Sequence, residues 1–264
     1  MSETRTLAGV HPVDLGDGVH AFFTSGAGGV SPAPWAAADG SGGLNLGLNV
    51  SDDDARVAVN RSRVAERLGA PVAFATQVHG DVVLGLGAAE REQWAAHRPP
   101  ASAGEGDALV TAERGLGLGV LVADCVPVLL ADPVARVVAV AHAGRKGVLA
   151  GVVHRALDAM VARGADPECV RAAVGPAVCG RCYEVPAAMR DEVAAVVPET
   201  FATTDDGTPG LDLPAGVVAQ LAARGVEATL VGRCTLEDKE LFSHRRATVT
   251  GVTTGRQAGV VALL

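Results

Sequence analysis

Three residues combine types and surroundings that suit metal chemistry: His79 in Thr-Gln-Val-His-Gly, Cys125 in Ala-Asp-Cys-Val-Pro and His142 in Ala-His-Ala-Gly. Two imidazoles and one thiolate brought to a point make a three-ligand zinc set. The tetrahedral position left over is the mark of a catalytic site rather than a closed structural one. Such a site lowers the pKa of water toward neutrality and so supplies a nucleophile. Each residue also has an ordinary reading, because a lone His or Cys in an apolar setting usually just packs in a core. The decision turns on whether the fold brings the three together.

The elements that must position them can be argued from pattern. Residues 116–123, 126–131 and 136–141 are strand-like runs, and Asp132-Pro133 begins a turn between the last two. Pairing Ala131 with Arg136 or Val137, in the antiparallel register that a short turn imposes, brings Val126 opposite Ala141 or His142. Cys125 and His142 then stand side by side at the open end of one hairpin. Directly opposed Cβ atoms lie about 4.5–5.5 Å apart and diagonal ones about 7–8 Å, distances one metal can close. His79 has no such constraint; it sits between the run 72–75 and Val82-Val83-Leu84, in a turn or strand end. Helical spacing predicts helices over 52–69, over 149–164 with Gly164 as its stop, and over 186–197, opened by Pro186. Residues 90–106, with two prolines and mixed charge, read as an exposed loop.

Bulk properties narrow the class. The chain has 264 residues, 48% hydrophobic and 20% charged, with 33 glycines, and no linker-like segment divides it, so one domain over 1–264 is expected. A net charge of -8 without a basic stripe argues against a nucleic-acid partner. No protein partner is legible. The longest apolar runs, around 120–123 and 137–141, are too short to span a bilayer. Five cysteines, at 125, 169, 179, 182 and 234, are an odd number in a chain too long to need disulfide staples. With no signal-peptide stretch in Met-Ser-Glu-Thr-Arg at the amino end, they point to a cytoplasmic protein. Cys179-Gly180-Arg181-Cys182 has the spacing of a redox or metal pair, but without a second such pair the signal is weak and free core thiols are the ordinary reading.

Further motifs identify a resemblance. The chain carries Gly28-Gly29-Val30-Ser31, Leu44-Asn45-Leu46-Gly47, Gln77-Val78-His79-Gly80, Asp107-Ala108-Leu109-Val110-Thr111 and Ala123-Asp124-Cys125-Val126-Pro127-Val128. It continues with His142-Ala143-Gly144, Gly175-Pro176-Ala177, Cys182-Tyr183-Glu184-Val185, Phe242-Ser243-His244-Arg245-Arg246 and Thr254-Gly255-Arg256-Gln257. Together these resemble the YfiH-like laccase-domain family, whose members are called multicopper polyphenol oxidoreductases or purine nucleoside phosphorylases. The resemblance implies an α/β or α+β fold, a single layered domain with mixed β-sheets flanked by helices. It also implies that His79, Cys125 and His142 are zinc ligands and catalytic residues, and it is the resemblance alone that brings His79 to the other two. The implied activity is phosphorolysis of adenosine, inosine and methylthioadenosine, with phosphate as co-substrate, and deamination of adenosine. Two positions depart from the family pattern: Phe23-Thr24-Ser25 stands where members often have Thr-Thr-Arg, and Arg145-Lys146-Gly147 where many have Trp-Arg-Gly.

The residues around the triad admit roles in that chemistry. Deamination needs a hydroxide at C6 of adenine, which zinc chemistry supplies; phosphorolysis needs an anion held beside the ribose carbon. Arg145 and Lys146, beside Gly144 and Gly147 and just ahead of a predicted helix, are candidate phosphate ligands, or else solvated turn charges. Asn45 and Gln77 are candidate partners of ribose or base, with a turn role as the alternative for Asn45. Asp124 is a candidate to orient a ligand His, or simply ends a strand. His244, Arg245 and Arg246 line a pocket or form a basic turn. Three competing functions stand beside the nucleoside reading. A copper phenol oxidase would need more than the seven scattered histidines present. A hydrolase acting on a peptidoglycan precursor would use Cys125 as nucleophile and a His as base. A metal-stabilised binding protein would require a fourth protein ligand.

Overall fold

The computed structural model describes residues 7–96 and 101–264. The amino-terminal stretch 1–5, His97, and the two prolines of the expected loop, Pro99 and Pro100, lie outside the described residues. In chain order the strands are β1 (Val10–Pro12), β2 (Val19–Thr24), β3 (Ala27–Ser31), β4 (Val72–Phe74), β5 (Val83–Leu86), β6 (Ala108–Thr111) and β7 (Gly117–Val122). They continue as β8 (Val126–Asp132), β9 (Val137–Ala143), β10 (Arg171–Val174), β11 (Phe201–Thr203), β12 (Pro209–Leu211), β13 (Glu227–Leu230) and β14 (Gln257–Leu263). The helices are α1 (Asp54–Leu68), α2 (Ala88–Ala95), α3 (Arg145–Ala150), α4 (Val152–Val161), α5 (Ala187–Val196), α6 (Leu213–Ala222) and α7 (His244–Thr250).

The architecture is the mixed α/β one expected. One sheet runs β1-β2-β14-β7-β4, a second runs β13-β10-β8-β9-β6-β5, and β11 pairs with β12. Both large sheets mix parallel and antiparallel pairs. Alternation along β8 explains how the layers stack, because successive side chains point to opposite faces. Leu129 and Ala131 join the core shared with the first sheet, where Phe23, Leu118, Val120 and Val260 pack. Val126, Val128 and Leu130 join the opposite core with Val148, Val152, Leu157 and Val217 from α3, α4 and α6. Covered on both faces, β8 and β9 are buried along their whole length. On the far side of the first sheet, Val64 and Leu68 of α1 add to its core.

Several elements differ from the sequence pattern. The hairpin register pairs Asp132 with Val137, Pro127 with His142 and Val126 with Ala143, so β8 runs one residue further into the turn than expected. The reason is Asp132: its Oδ1 accepts both the Val134 and Ala135 N–H groups at 2.8 Å, bending the chain from inside the strand end. The helix expected over 149–164 starts earlier and is broken into α3 and α4 at Gly151, whose φ of 77° interrupts the helical backbone. Residues 90–95 of the expected loop belong to helix α2, anchored by the buried Trp94 and by Glu90, whose Oε2 accepts the Gly87 N–H at 2.8 Å. The helix expected over 52–69 is α1, capped by the Asp53 carboxylate at one end and by Gly69, φ 87°, at the other. The one expected over 186–197 is α5, with Pro186 just before it. Among the described residues no helix is long and apolar enough to cross a membrane.

Candidate metal centre

Three neighbouring strands of the second sheet bring the chemistry together. His142 lies near the end of β9 and faces Pro127 of β8, so Cys125, two residues before Pro127, is its diagonal neighbour on the same face. On the other side of β9, Ala108 of β6 pairs with Ala141, and the His142 N–H donates to the Asp107 carbonyl at 2.7 Å. Cys125, His142 and Asp107 therefore stand in a row across one edge of the layer between the two sheets. His79 arrives from the loop joining β4 and β5. Ligand atoms of His79, Cys125 and His142 all lie within 4.8 Å of one another, and the two imidazole rings meet edge to face at 4.8 Å between centroids.

The buried carboxylate of Asp107 organises this convergence. Its oxygens accept the N–H groups of Val78 (3.2 Å), His79 (2.9 Å) and Gly80 (2.7 Å). His79 has φ +63°, an uncommon conformation for a residue with a side chain, and these three bonds sustain it. Oδ1 also lies 2.8 Å from His142 Nδ1, which leaves Nε2 of that ring as the donor atom for a ligand. One side chain thus sets the pose of both histidines. Asp124, a candidate orienting residue or strand end, does something else: its oxygens take the Thr235 hydroxyl and the Arg245 N–H, each at 2.6 Å. Asp107 lies 35 residues before His142 in the chain, so only the signal of its motif marked it.

Space at the centre is made by glycine. A Cβ on Gly144 would lie 2.8 Å from His79 Cδ2 and 3.1 Å from Cys125 Sγ, so any side chain there would occupy the point the ligands share. Gly147 lets α3 approach the His79 loop, since a Cβ would meet the Gly80 carbonyl at 3.0 Å. Two nitrogens and one sulfur around a space free of side chains fit a divalent metal of the zinc type. His142 is buried and His79 exposed, so the cluster faces solvent on the His79 side.

The electrostatics of these side chains follow from the same contacts. Burial pushes the Cys125 thiol up, but hydrogen bonds and charge from His142 and His79 outweigh it and bring the thiol down to about 6. Burial opposes charge on His142 too, yet the Asp107 and Cys125 partners raise the imidazole to about 9. Asp107 remains below the usual carboxylate range despite burial, because His142 and the loop N–H groups favour its charged form. These shifts favour a thiolate, imidazolium and carboxylate row.

The outer candidates are placed differently. Asn45 is fully buried; its amide donates to Asp52 Oδ2 (2.9 Å) and the Gly47 carbonyl (3.1 Å), while Oδ1 accepts the Arg256 and Gly47 N–H groups. It braces loops and has no group free for a substrate. Gln77 clamps both backbone groups of Leu121, at 2.7 and 2.8 Å, two residues along β7 beyond the last β4–β7 backbone pair, Phe74 with Gly119. Arg145 and Lys146 lie in the first turn of the six-residue α3 rather than ahead of a helix; Arg145 is half-buried and Lys146 exposed. Arg246 donates to the carbonyls of Thr235, Leu236 and Leu241, a structural role. Arg245 stacks its guanidinium 5.3 Å from the centroid of Tyr183. Tyr183, the one tyrosine of the chain, has its hydroxyl pushed up by burial and by the nearby Cys125 charge, against the pull of Arg245 and Arg145. That aromatic face escaped the sequence reading. Cys182 sits with Cys179 and Cys234 rather than in the triad. At the first family departure, Phe23 is core and Thr24 Oγ1 accepts the Ala258 N–H.

Comparison with known proteins finds relatives over nearly the whole chain. The family model described as multi-copper polyphenol oxidoreductase laccase matches residues 20–264. A Streptomyces griseus protein named purine nucleoside phosphorylase is 53% identical over 249 residues, 92% of this chain and 94% of its own. One of the same name from Streptomyces coelicolor is 50% identical, covering 95% and 98%. Among solved structures, Bacillus licheniformis YfiH superposes with a TM-score of 0.80 at 32% identity, covering 93% of each chain. YlmD from Geobacillus stearothermophilus gives 0.80 at 32%, covering 94% and 92%.

Proposed function

The chain belongs to the multi-copper polyphenol oxidoreductase laccase family, and from that premise we propose that it is a purine nucleoside phosphorylase working at the His79, Cys125 and His142 cluster. The observation that carries the reading is the convergence of those three donors within 4.8 Å, in a chain half identical to full-length relatives of that name. Zinc is the metal we assign, with His79, Cys125 and His142 as its ligands. When bound, it supplies Lewis acidity at the face left open beside His79. Copper oxidase chemistry is less favoured, because among the described residues no other His joins a group of three or more metal-capable side chains.

The chain's own residues supply the rest. Asp107 holds the His142 ring and the His79 loop in register, so that the donors need no rearrangement when a nucleoside arrives. Arg145 and Lys146 attract phosphate by charge. A phosphate oxygen bonds to C1′ of the ribose as the C1′–N9 bond breaks, and the electron pair leaves on the purine. Tyr183, backed by Arg245, offers a flat face on which the base can stack. Adenosine, inosine and methylthioadenosine are the expected substrates, with deamination of adenosine as a side activity.

A second reading has an observation of its own. Cys125, His142 and Asp107 line up as nucleophile, base and orienting acid, the arrangement of a cysteine hydrolase. One experiment separates the two: incubate the protein with adenosine and phosphate and resolve the products by chromatography. Free adenine or hypoxanthine with ribose 1-phosphate supports phosphorolysis, and inosine supports deamination. No turnover of nucleoside, together with alkylation-sensitive cleavage of amide or acyl substrates, would sink the nucleoside reading.

A further inference from the structure

We propose that Cys179, Cys182 and Cys234, with Glu237 as the fourth ligand, form a second metal site of the closed, structural zinc type. These residues lie outside the cluster described above. Their sulfur and carboxylate atoms all lie within 4.8 Å of one another, although Cys234 is 52 residues from Cys182 in the chain. In a zinc tetrahedron with bonds of about 2.3 Å the sulfurs stand roughly 3.8 Å apart, so side-chain rotation alone closes the set. All three cysteines are free thiols here.

The local backbone is shaped for thiolate ligands. Residues 179–182 form a tight turn in which the Cys182 and Tyr183 N–H groups both donate to the Cys179 carbonyl, at 3.0 and 2.9 Å. The turn puts both sulfurs on one side. Gly180 permits it, since a Cβ there would meet Asp212 Cβ at 2.7 Å. The Cys179 N–H points at Cys234 Sγ, at 3.5 Å. A backbone donor aimed at sulfur is a contact that a metal-bound thiolate keeps. Three thiolates and a carboxylate around a divalent ion leave excess negative charge, which Arg181, 3.4 Å from the Glu237 carboxylate, offsets. A disulfide between two of these cysteines would leave the third sulfur and Glu237 without a role.

Its position gives the site a purpose. The Ala177 and Cys234 segments are joined as a parallel bridge, and the neighbours of two of the ligands grip Asp124. The Val178 N–H donates to the Asp124 carbonyl at 3.0 Å, and the Thr235 hydroxyl donates to its carboxylate at 2.6 Å. Asp124, at φ +91°, is the residue before Cys125. A metal tying residue 179 to residue 234 therefore stiffens the turn that presents Cys125.

The test uses the full chain in three forms. Protein purified from zinc-supplemented cells is expected to hold two zinc ions per chain, and Cys182→Ser one. Full-length Cys125→Ala, stripped and reloaded with cobalt(II) alone, is expected to bind one cobalt per chain with the strong near-ultraviolet sulfur-to-metal band of several thiolates. The same band survives Glu237→Gln but exchanges its metal faster. One metal per chain in the unaltered protein, undiminished by Cys182→Ser, would overturn the proposal. So would the absence of cobalt in Cys125→Ala, or a disulfide among the three cysteines in protein purified under nitrogen. Failure of nucleoside turnover would leave these metal counts unaffected.

Discussion

His79, Cys125 and His142 offer three donor side chains at the rim of two packed sheets, whereas Cys179, Cys182, Cys234 and Glu237 offer four between two loops. In the first cluster a single buried carboxylate, Asp107, sets both histidines and Gly144 clears the centre. In the second, the Cys179 N–H faces the Cys234 sulfur and no side chain from a core strand takes part. The contrast separates two uses of similar atoms. On the proposed readings, an open set on a rigid sheet edge would present a position to substrate, while a closed set in loops would substitute for packing that the loops lack.

The largest expected effect tests that division directly. Cys125→Ala should abolish nucleoside turnover and remove one metal per chain while the protein stays folded. Cys182→Ser should keep measurable turnover and lower the thermal midpoint. Calorimetry and metal analysis of both variants check it, and equal loss of activity in the two would erase the distinction. Next in size is thiol reactivity in the metal-stripped protein. With its thiol near 6, Cys125 is mostly thiolate at pH 7 and loses that form as pH falls through about 6. Burial raises Cys182 and Cys234 instead. The thiolate fractions should differ by about two orders of magnitude or more at pH 7. Mass-resolved alkylation across pH 5 to 9 should label Cys125 first, with a midpoint near 6, and a midpoint near 9 would remove the thiolate row.

Asp107→Asn should cost roughly 10–100-fold in metal affinity or kcat/KM at the open site, with no change in metal content at the sulfur cluster. The neutral amide can still accept some loop N–H bonds but no longer favours a charged His142, so the pH profile should shift along with the rate. The smallest effect is expected from Gly144→Ala. Its methyl group would press His79 and Cys125 apart, weakening metal binding a few-fold with the fold intact, as competition with a chromophoric chelator would report. Unchanged affinity there would mean that the ligands have more room than the 2.8 Å and 3.1 Å approaches allow.

Different parts of the molecule were legible to different degrees. Helices α1 and α5 announce themselves through Asp53 and Pro186, because capping is a local matter of a few residues. Helix α2 was hidden: its single buried anchor, Trp94, carries no period, and neighbouring prolines suggested a loop. The β8–β9 pairing was readable to within one residue; Asp132 moved the turn by taking two N–H groups that a strand would have left to its partner. Asn45 and Gln77 were recognisable as motif residues but not by role, since a carboxamide that ties loops together looks the same in sequence as one that holds a ribose.

The sequence by itself singled out the candidate donors, the near neighbourhood of Cys125 and His142, and, through its motifs, the family. Those follow from residue type and from pairing across a short turn, where few conformations compete. Only the tertiary structure decided that Asp107 rather than Asp124 aligns the histidines, that Tyr183 and Arg245 stack, and that Cys179, Cys182 and Cys234 meet. Each of these depends on segments tens of residues apart arriving at one place. Their meeting is set by the packing of two sheets and their connecting loops, a property of the whole chain that no local spacing encodes.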